Sequence, residues 1–315
     1  MKHPLPDTSW TVPPPIADAD IIITLLDRSS VKPEISPLDA GLYLVATPIG
    51  NARDITLRAL DILASVDVIA AEDTRTARKL MDIHAIPVRG RPMIPYHDHS
   101  GQNGRDGIRK LIAEGRSVAY VSEAGTPLVA DPGYALARDV AQDEGLVTAA
   151  PGASAVLTAL SLSSLPSDRF LFAGFPPAAK GARKTWLSDL LITEATIVLY
   201  ESPKRINRLL MDLCSLKAGH RPAAICRELT KRFEEVLRGN VQELSETLED
   251  RTLKGEIVLV IGHVAAAPGE ETLEQALRRA MKDMSKKDAV AFVTEALGLP
   301  RRKVYQAALE LESEE

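Results

Sequence analysis

The chain has 315 residues, 45% of them hydrophobic and 26% charged, with a formal net charge of −5. That length and mixture supply two ordinary cores plus an appendage and exclude a chain disordered throughout. The acidic balance excludes a protein that binds nucleic acid over its whole surface, so any such site must be a local basic patch. The two cysteines, Cys214 and Cys226, lack C-x-x-C spacing, which argues against a disulfide framework or a zinc site and fits a reducing cytosol. No apolar signal segment opens the chain and no apolar run reaches the ~18 residues of a membrane span, so a cytoplasmic, membrane-free protein is expected.

Residues 1–40 carry seven prolines, Pro13, Pro14 and Pro15 among them, and read as a mobile extension. Over 41–152 short apolar runs at 42–47, 66–71, 118–122 and 146–150 predict buried strands, separated by helical patterns near 55–65, 75–84, 104–114 and 133–144. This alternation is that of a parallel α/β sheet, whose ligands sit beyond the carboxyl ends of the strands. Over 153–266 strands are predicted at 170–175, 196–201, 223–227, 234–238 and 256–262, with helices near 183–192, 203–215 and 241–250. Strands that follow one another without a helix make this second unit a mixed α+β domain. Over 267–315 three helical patterns remain, the second opened by Ser285 with Asp288 and the third by the turn Gly298-Leu299-Pro300.

Three loops at predicted strand ends are rich in small residues: Thr47-Pro48-Ile49-Gly50-Asn51, Ser122-Glu123-Ala124-Gly125-Thr126-Pro127 running on to Asp131-Pro132-Gly133, and Pro151-Gly152-Ala153-Ser154-Ala155. Glycine and proline either punctuate βα turns or let main chain approach a flat ligand, and three such loops on one sheet edge favour a nucleoside-like cofactor. No phosphate-binding glycine fingerprint is present, which disfavours a nucleoside triphosphate or a dinucleotide.

These loops, with Ala70-Ala71-Glu72-Asp73-Thr74-Arg75, resemble the ribosomal RNA small-subunit 2′-O-methyltransferase I family of the tetrapyrrole methylase superfamily. The likeness continues through Leu165-Pro166-Ser167-Asp168-Arg169-Phe170, Tyr200-Glu201-Ser202, Arg227-Glu228-Leu229-Thr230-Lys231 and Gly255-Glu256, spanning roughly 42–262. The resemblance implies a two-domain tetrapyrrole-methylase-like α/β fold with S-adenosylmethionine in the cleft between the domains, a homodimer, and modification of a cytidine ribose in the decoding region of 16S rRNA. Carried over by motif, cofactor contacts fall on Ile49, on Glu123, Ala124, Gly125 and Leu128, on Ser154 and Ala155, and on Glu201 and Leu229, mainly through backbone. Two departures stand out: Glu123 replaces an aspartate common in relatives, and Ser100 an asparagine.

Methyl transfer to a ribose hydroxyl needs that oxygen aligned behind the methyl group and its proton removed as the bond forms. Glu72, Asp73, His97, His99 and Glu201 are candidates, and no pair has diagnostic spacing. Glu72 to Arg75 read equally as a helix N-terminus with acidic residues at the positive end of the dipole. His97-Asp98-His99 lacks a third ligand, so no metal is expected. Candidate RNA contacts are Arg75, Lys204, Arg205 and Lys231, for which local pairing is the competing reading, and Arg301, Arg302 and Lys303. These last three open a helix in a segment, 272–309, with eight basic and four acidic residues, which looks like a helix-turn-helix module or else a small stabilising bundle. The rival functions are a superfamily methylase acting on a tetrapyrrole or other small molecule, and a non-catalytic ribosome-assembly protein that binds RNA.

Overall fold

The computed structural model describes residues 32–97, 100–130, 133–263, 273–297 and 299–313. Most of the proline-rich extension and the motif residues Asp98, His99, Asp131, Pro132 and Gly298 lie outside the described residues.

The first unit runs β1 (Gly41–Val45), α1 (Leu57–Ser65), β2 (Val68–Ala71), α2 (Thr74–Ile83), β3 (Met93–Pro95), α3 (Gly101–Ala113), β4 (Ser117–Val121), α4 (Tyr134–Gln142) and β5 (Leu146–Ala150). Its strands form one parallel sheet in the order β3-β2-β4-β1-β5. Leu60, Leu63 and Met81 of α1 and α2 cover one face against Val45, Ile69 and Val121. Ile108, Leu136 and Val140 of α3 and α4 cover the other against Leu42, Val118 and Tyr120. Covering on both faces is why β1, β2 and β4 read as continuous apolar runs rather than alternating ones.

The strand order places the site. The chain leaves β1 toward β2 over the α1 and α2 face, and leaves β4 toward β5 over the α3 and α4 face. The neighbouring strands β1 and β4 therefore send their loops to opposite sides, and a crevice opens beyond their carboxyl ends.

α5 (Ala155–Ser163) crosses to the second unit, which continues with β6 (Phe170–Gly174), α6 (Lys180–Leu191), β7 (Thr196–Glu201), α7 (Ile206–Ser215), β8 (Pro222–Arg227), β9 (Glu235–Asn240), α8 (Val241–Thr247) and β10 (Ile257–Ile261). The sheet order is β6-β7-β10-β8-β9, parallel between β6 and β7 and antiparallel elsewhere. Helices α6, α7 and α8 pack on one face, and α5 covers the other with Val156, Ala159 and Leu160. Ile49, from the loop after β1, joins the α5 cluster and so ties the two units together.

Two elements depart from the sequence reading. The short β3 has no apolar alternation to announce it, and α5 is apolar around most of its circumference, so no 3.6-residue stripe marks it as a helix.

The last three helices, α9 (Leu273–Asp283), α10 (Lys286–Leu297) and α11 (Arg301–Ser313), have their own core of Leu277, Val290, Val293, Val304 and Ala308. The Ser285 hydroxyl accepts from the Asp288 N–H at 3.3 Å and donates to its carboxylate at 2.6 Å, opening α10 as the capping pattern predicts. Among the described residues no helix is long and apolar enough to cross a membrane.

Leu209 of α7 is fully buried in the larger core of the second unit. Leu209→Ala removes that packing and is expected to cost about 2–5 kcal/mol, read in urea unfolding as a lower midpoint with an unchanged slope.

Candidate active site

The loops beyond β1 and β4 are pinned to each other by main chain. Thr47 N–H donates to Gly125 O at 2.9 Å and Gly125 N–H to Thr47 O at 3.0 Å. The Ser122 hydroxyl donates to Gly125 O at 3.0 Å, and Thr126 Oγ1 donates to Ala153 O at 2.9 Å, which brings in the third loop. Gly125 has φ of +85°, and a Cβ there would lie 3.3 Å from Ile49 Cγ2 and 3.6 Å from Ala153 O. A side chain at this position is strained by the backbone and points into crowded space.

The second unit closes over this edge. A Cβ on Gly50 would come within 2.9 Å of Leu229 O, and Asn51 N–H donates to Thr230 Oγ1 at 3.0 Å. Thr230 itself has φ of +61°, a conformation β-branched residues rarely adopt. The Glu234 carboxylate holds it there by accepting from Thr230 N–H at 2.6 Å.

Between the units lies a cleft of about 380 Å³. Of the expected cofactor contacts, Ile49, Ala124, Gly125, Ser154, Ala155 and Glu201 line it. Glu123, Leu128 and Leu229 are not on its wall. Glu123 is exposed, and its N–H donates to the Glu72 carboxylate at 3.0 Å. Leu128 packs into the core on the α3 and α4 face, and Leu229 into the cluster that joins the units. The wall also includes Phe175, Tyr200, Ser202, Pro203 and the stretch 255–258. Phe175 was read only as the end of a strand; the Gly174-Phe175-Pro176-Pro177 run, a ring between turn formers, was the available signal.

Glu201 is 3% exposed. Its Oε1 accepts from Ser202 N–H at 2.7 Å, while Oε2 lies 3.3 Å from Arg205 Nη2 in an ion pair too poorly directed to be a hydrogen bond. Buried carboxylate oxygens ordinarily have a donor, so Oε2, enclosed beside Arg205, retains unused acceptor capacity.

Several charged residues have partners that the sequence did not disclose. Arg205, expected at an RNA phosphate, donates from Nη2 to Pro176 O at 2.5 Å and Pro177 O at 3.3 Å and pairs with Glu201, so it serves the protein's own loop. Lys231 binds Glu228 at 3.1 Å and Glu256 at 2.8 Å, and Arg227 pairs with Glu235. Arg75 folds back on Asp73 at 2.9 Å. Lys204, Arg301, Arg302 and Lys303 are exposed.

Of the residues expected to handle the proton, Glu201 lines the cleft, His99 lies outside the described residues, and Glu72, Asp73 and His97 sit elsewhere. Asp73 caps α2, accepting from Arg75 N–H at 2.7 Å, and Glu72 is bound to the Glu123 amide. His97 is exposed, its N–H donating to Ser100 Oγ at 2.9 Å. None of the three lines the cleft. The side-chain and then the main-chain hydrogen bonds from Arg75 lower the Asp73 pKa to about 2, which makes it a poor base at neutral pH. The helix N-terminus reading of this segment is the one the geometry displays.

Residues 41–245 match the profile of the Tetrapyrrole (Corrin/Porphyrin) Methylases, and residues 266–312 that of the RsmI C-terminal HTH domain. Over 278 residues the chain is 42% identical to Ribosomal RNA small subunit methyltransferase I of Mesorhizobium japonicum, covering 87% of this chain and 93% of that one. It is 41% identical over 274 residues to the protein of the same name from Vibrio cholerae, covering 85% and 94%. The chain belongs to the ribosomal RNA small subunit methyltransferase I family. Solved structures share the fold of this family member. The methyltransferase CobJ matches with a TM-score of 0.54 at 19% identity, over 72% of this chain and 96% of its own. Uroporphyrin-III-C-methyltransferase from Thermus thermophilus matches with 0.51 at 21% identity, over 71% and 94%.

The Asp73 cap gives a titration test of the local geometry. Its folded pKa of about 2 lies below the ordinary 3.8, so the stabilisation it adds is complete above the unfolded value and is lost as pH falls through about 2. Carbon NMR of the Asp73 carboxyl is expected to give that low midpoint, and Arg75→Ala to return it toward the ordinary value. An ordinary midpoint in the unaltered protein would contradict the cap.

Proposed function

We propose that this chain transfers a methyl group from S-adenosylmethionine to the 2′-hydroxyl of a cytidine ribose in the decoding region of 16S rRNA. One observation carries the reading: small-residue loops beyond β1, β4 and β5 line a single cleft that the second unit closes. When bound, the cofactor supplies an electrophilic methyl group on a sulfonium. Ile49, Ala124, Gly125, Ser154 and Ala155 would hold it through main chain and small side chains, with Glu201 in the wall beside them. The walls fit such a group in size and character, being mostly apolar with a few convergent polar atoms. Glu123, Leu128 and Leu229 act one step back, setting the course of the loops that bear these contacts. The main task of the walls is alignment, bringing the ribose oxygen into line behind the methyl group while excluding water.

RNA is favoured over a tetrapyrrole by relatives whose printed name specifies ribosomal RNA and by the match of residues 266–312 to the RsmI C-terminal HTH domain, with Arg301, Arg302 and Lys303 grouped at the start of α11. In this reading Arg301, Arg302, Lys303 and Lys204, all exposed, meet phosphates. Arg75 and Lys231 contribute field rather than direct contacts, because each is already paired. The protein would work in the cytoplasm as a homodimer. Apolar side chains exposed on the edge strands, Leu146 on β5 and Phe170 and Leu171 on β6, are surfaces a second copy could cover.

The decisive experiment incubates the protein with methyl-tritiated cofactor and small ribosomal subunits lacking the modification, then maps the label. Label on one cytidine ribose is expected; label on a base, a tetrapyrrole or a protein would overturn the reaction. A second measurement tests the cleft. Gly125→Trp is expected to abolish cofactor binding in calorimetry while circular dichroism stays unchanged, and retained affinity would remove that loop from the site.

A further inference from the structure

Strands β6 and β7 pair in register from Phe170 with Thr196 to Phe172 with Val198, after which Gly174 rather than Ala173 faces Leu199. One extra residue has entered β6. Because strand side chains alternate, that insertion turns Phe175 onto the face occupied by Phe172 and Tyr200. The rings form a chain: Phe172 lies 4.8 Å from Tyr200 and Phe175 lies 5.4 Å from it, both edge to face. Phe175 lines the cleft and is still 60% exposed.

Its loop is held unusually firmly. Arg205 donates to Pro176 O and Pro177 O, while Arg183 Nη1 donates to Pro177 O at 3.3 Å and Ala178 O at 2.9 Å. Arg183 is 2% exposed and is fixed in turn by Asp212 at 2.7 Å. Three successive carbonyls after Phe175 are thus tied to two guanidinium groups, Arg183 on α6 and Arg205 just before α7. An apolar ring kept rigid in water has paid its ordering entropy before a partner arrives. A flat, rigid ring at the mouth of a cleft stacks on any base face, which is how proteins commonly grip unpaired nucleotides.

We propose that Phe175 is the platform on which the substrate nucleobase stacks, with Arg183 and Arg205 as positioning residues. This deepens the function proposed above and rests on it. The inner wall of small residues receives the cofactor, and the ring at the rim receives the base of the nucleotide whose ribose enters.

The test compares the unaltered protein with Phe175→Ala and Phe175→Trp. Phe175→Ala is expected to raise KM for small subunits by on the order of tenfold or more, with kcat changed far less. Calorimetric affinity for S-adenosylmethionine stays within about twofold, since the stack contributes to the base alone. Cosedimentation with small subunits in the presence of S-adenosylhomocysteine, which needs no turnover, weakens in parallel, and Phe175→Trp restores both. Loss of cofactor affinity with unchanged subunit binding would make the ring a cofactor wall and overturn the proposal, as would unchanged kinetics. If the unaltered protein places no methyl group on a ribose, the function above fails on its own, and cosedimentation still decides the role of Phe175.

Discussion

Two main-chain hydrogen bonds between Thr47 and Gly125 are the constraint on which the rest of the site depends. They form where the loops of the neighbouring strands β1 and β4 depart to opposite faces of the sheet and the topology leaves a crevice. Pinning the loops there brings Ala124, Gly125 and Ile49 to one wall, and the hydroxyl of Thr126 adds the third loop through Ala153. The same constraint dictates composition: main chain can approach main chain only where side chains are small. Gly50 against Leu229 and Thr230 extends that logic across the two units, so the second unit is fixed by the loop that also forms the site.

This explains what was legible in the sequence and what was not. Strands buried on both faces announce themselves as apolar runs, and turn residues at their ends mark the loops, so the first sheet and the small-residue loops at its carboxyl edge could be read directly. Alternation failed for β3, which is only three residues long, and helical periodicity for α5, whose exposed face carries Leu157 while its buried face carries Ser163. Within the site, positions set by main chain were found: Ile49, Ala124, Gly125, Ser154 and Ala155 all line the cleft. Charged positions were read less well. Whether Arg205 or Lys231 is available to a phosphate depends on carbonyls and carboxylates distant in the chain, such as Pro176 and Glu256, which no local pattern reveals. Phe175 was hidden for a related reason: a one-residue bulge reverses the face of every side chain after it and leaves no mark in the hydrophobic pattern.

The charge distribution is consistent with a division of labour. The whole chain carries −5, while helices α9 to α11 hold eight basic residues against six acidic ones. An acidic chain repels polyanions on average, so on the proposed function the basic group Arg301, Arg302 and Lys303 at the start of α11 would set where RNA first engages. Such contacts would fix register without reading sequence, and on the proposed function discrimination of the target nucleotide would fall to the cleft mouth.

The buried Arg183 and Asp212 pair shows why that mouth needs more than apolar packing. Taking two charges out of water costs more than a hydrophobic contact of similar volume, so the pair is a poor device for stability alone. A hydrophobic replacement would fill the space but could not donate to Pro177 O and Ala178 O, and proline removes the N–H groups that would otherwise anchor such a loop. Guanidinium, with five donors in a rigid fork, can satisfy a carboxylate and two carbonyls at once. Asp212 fixes the fork on α7 and the fork fixes the carbonyls after Phe175, so the position of an exposed ring is determined by a pair of charges on the far side of its loop.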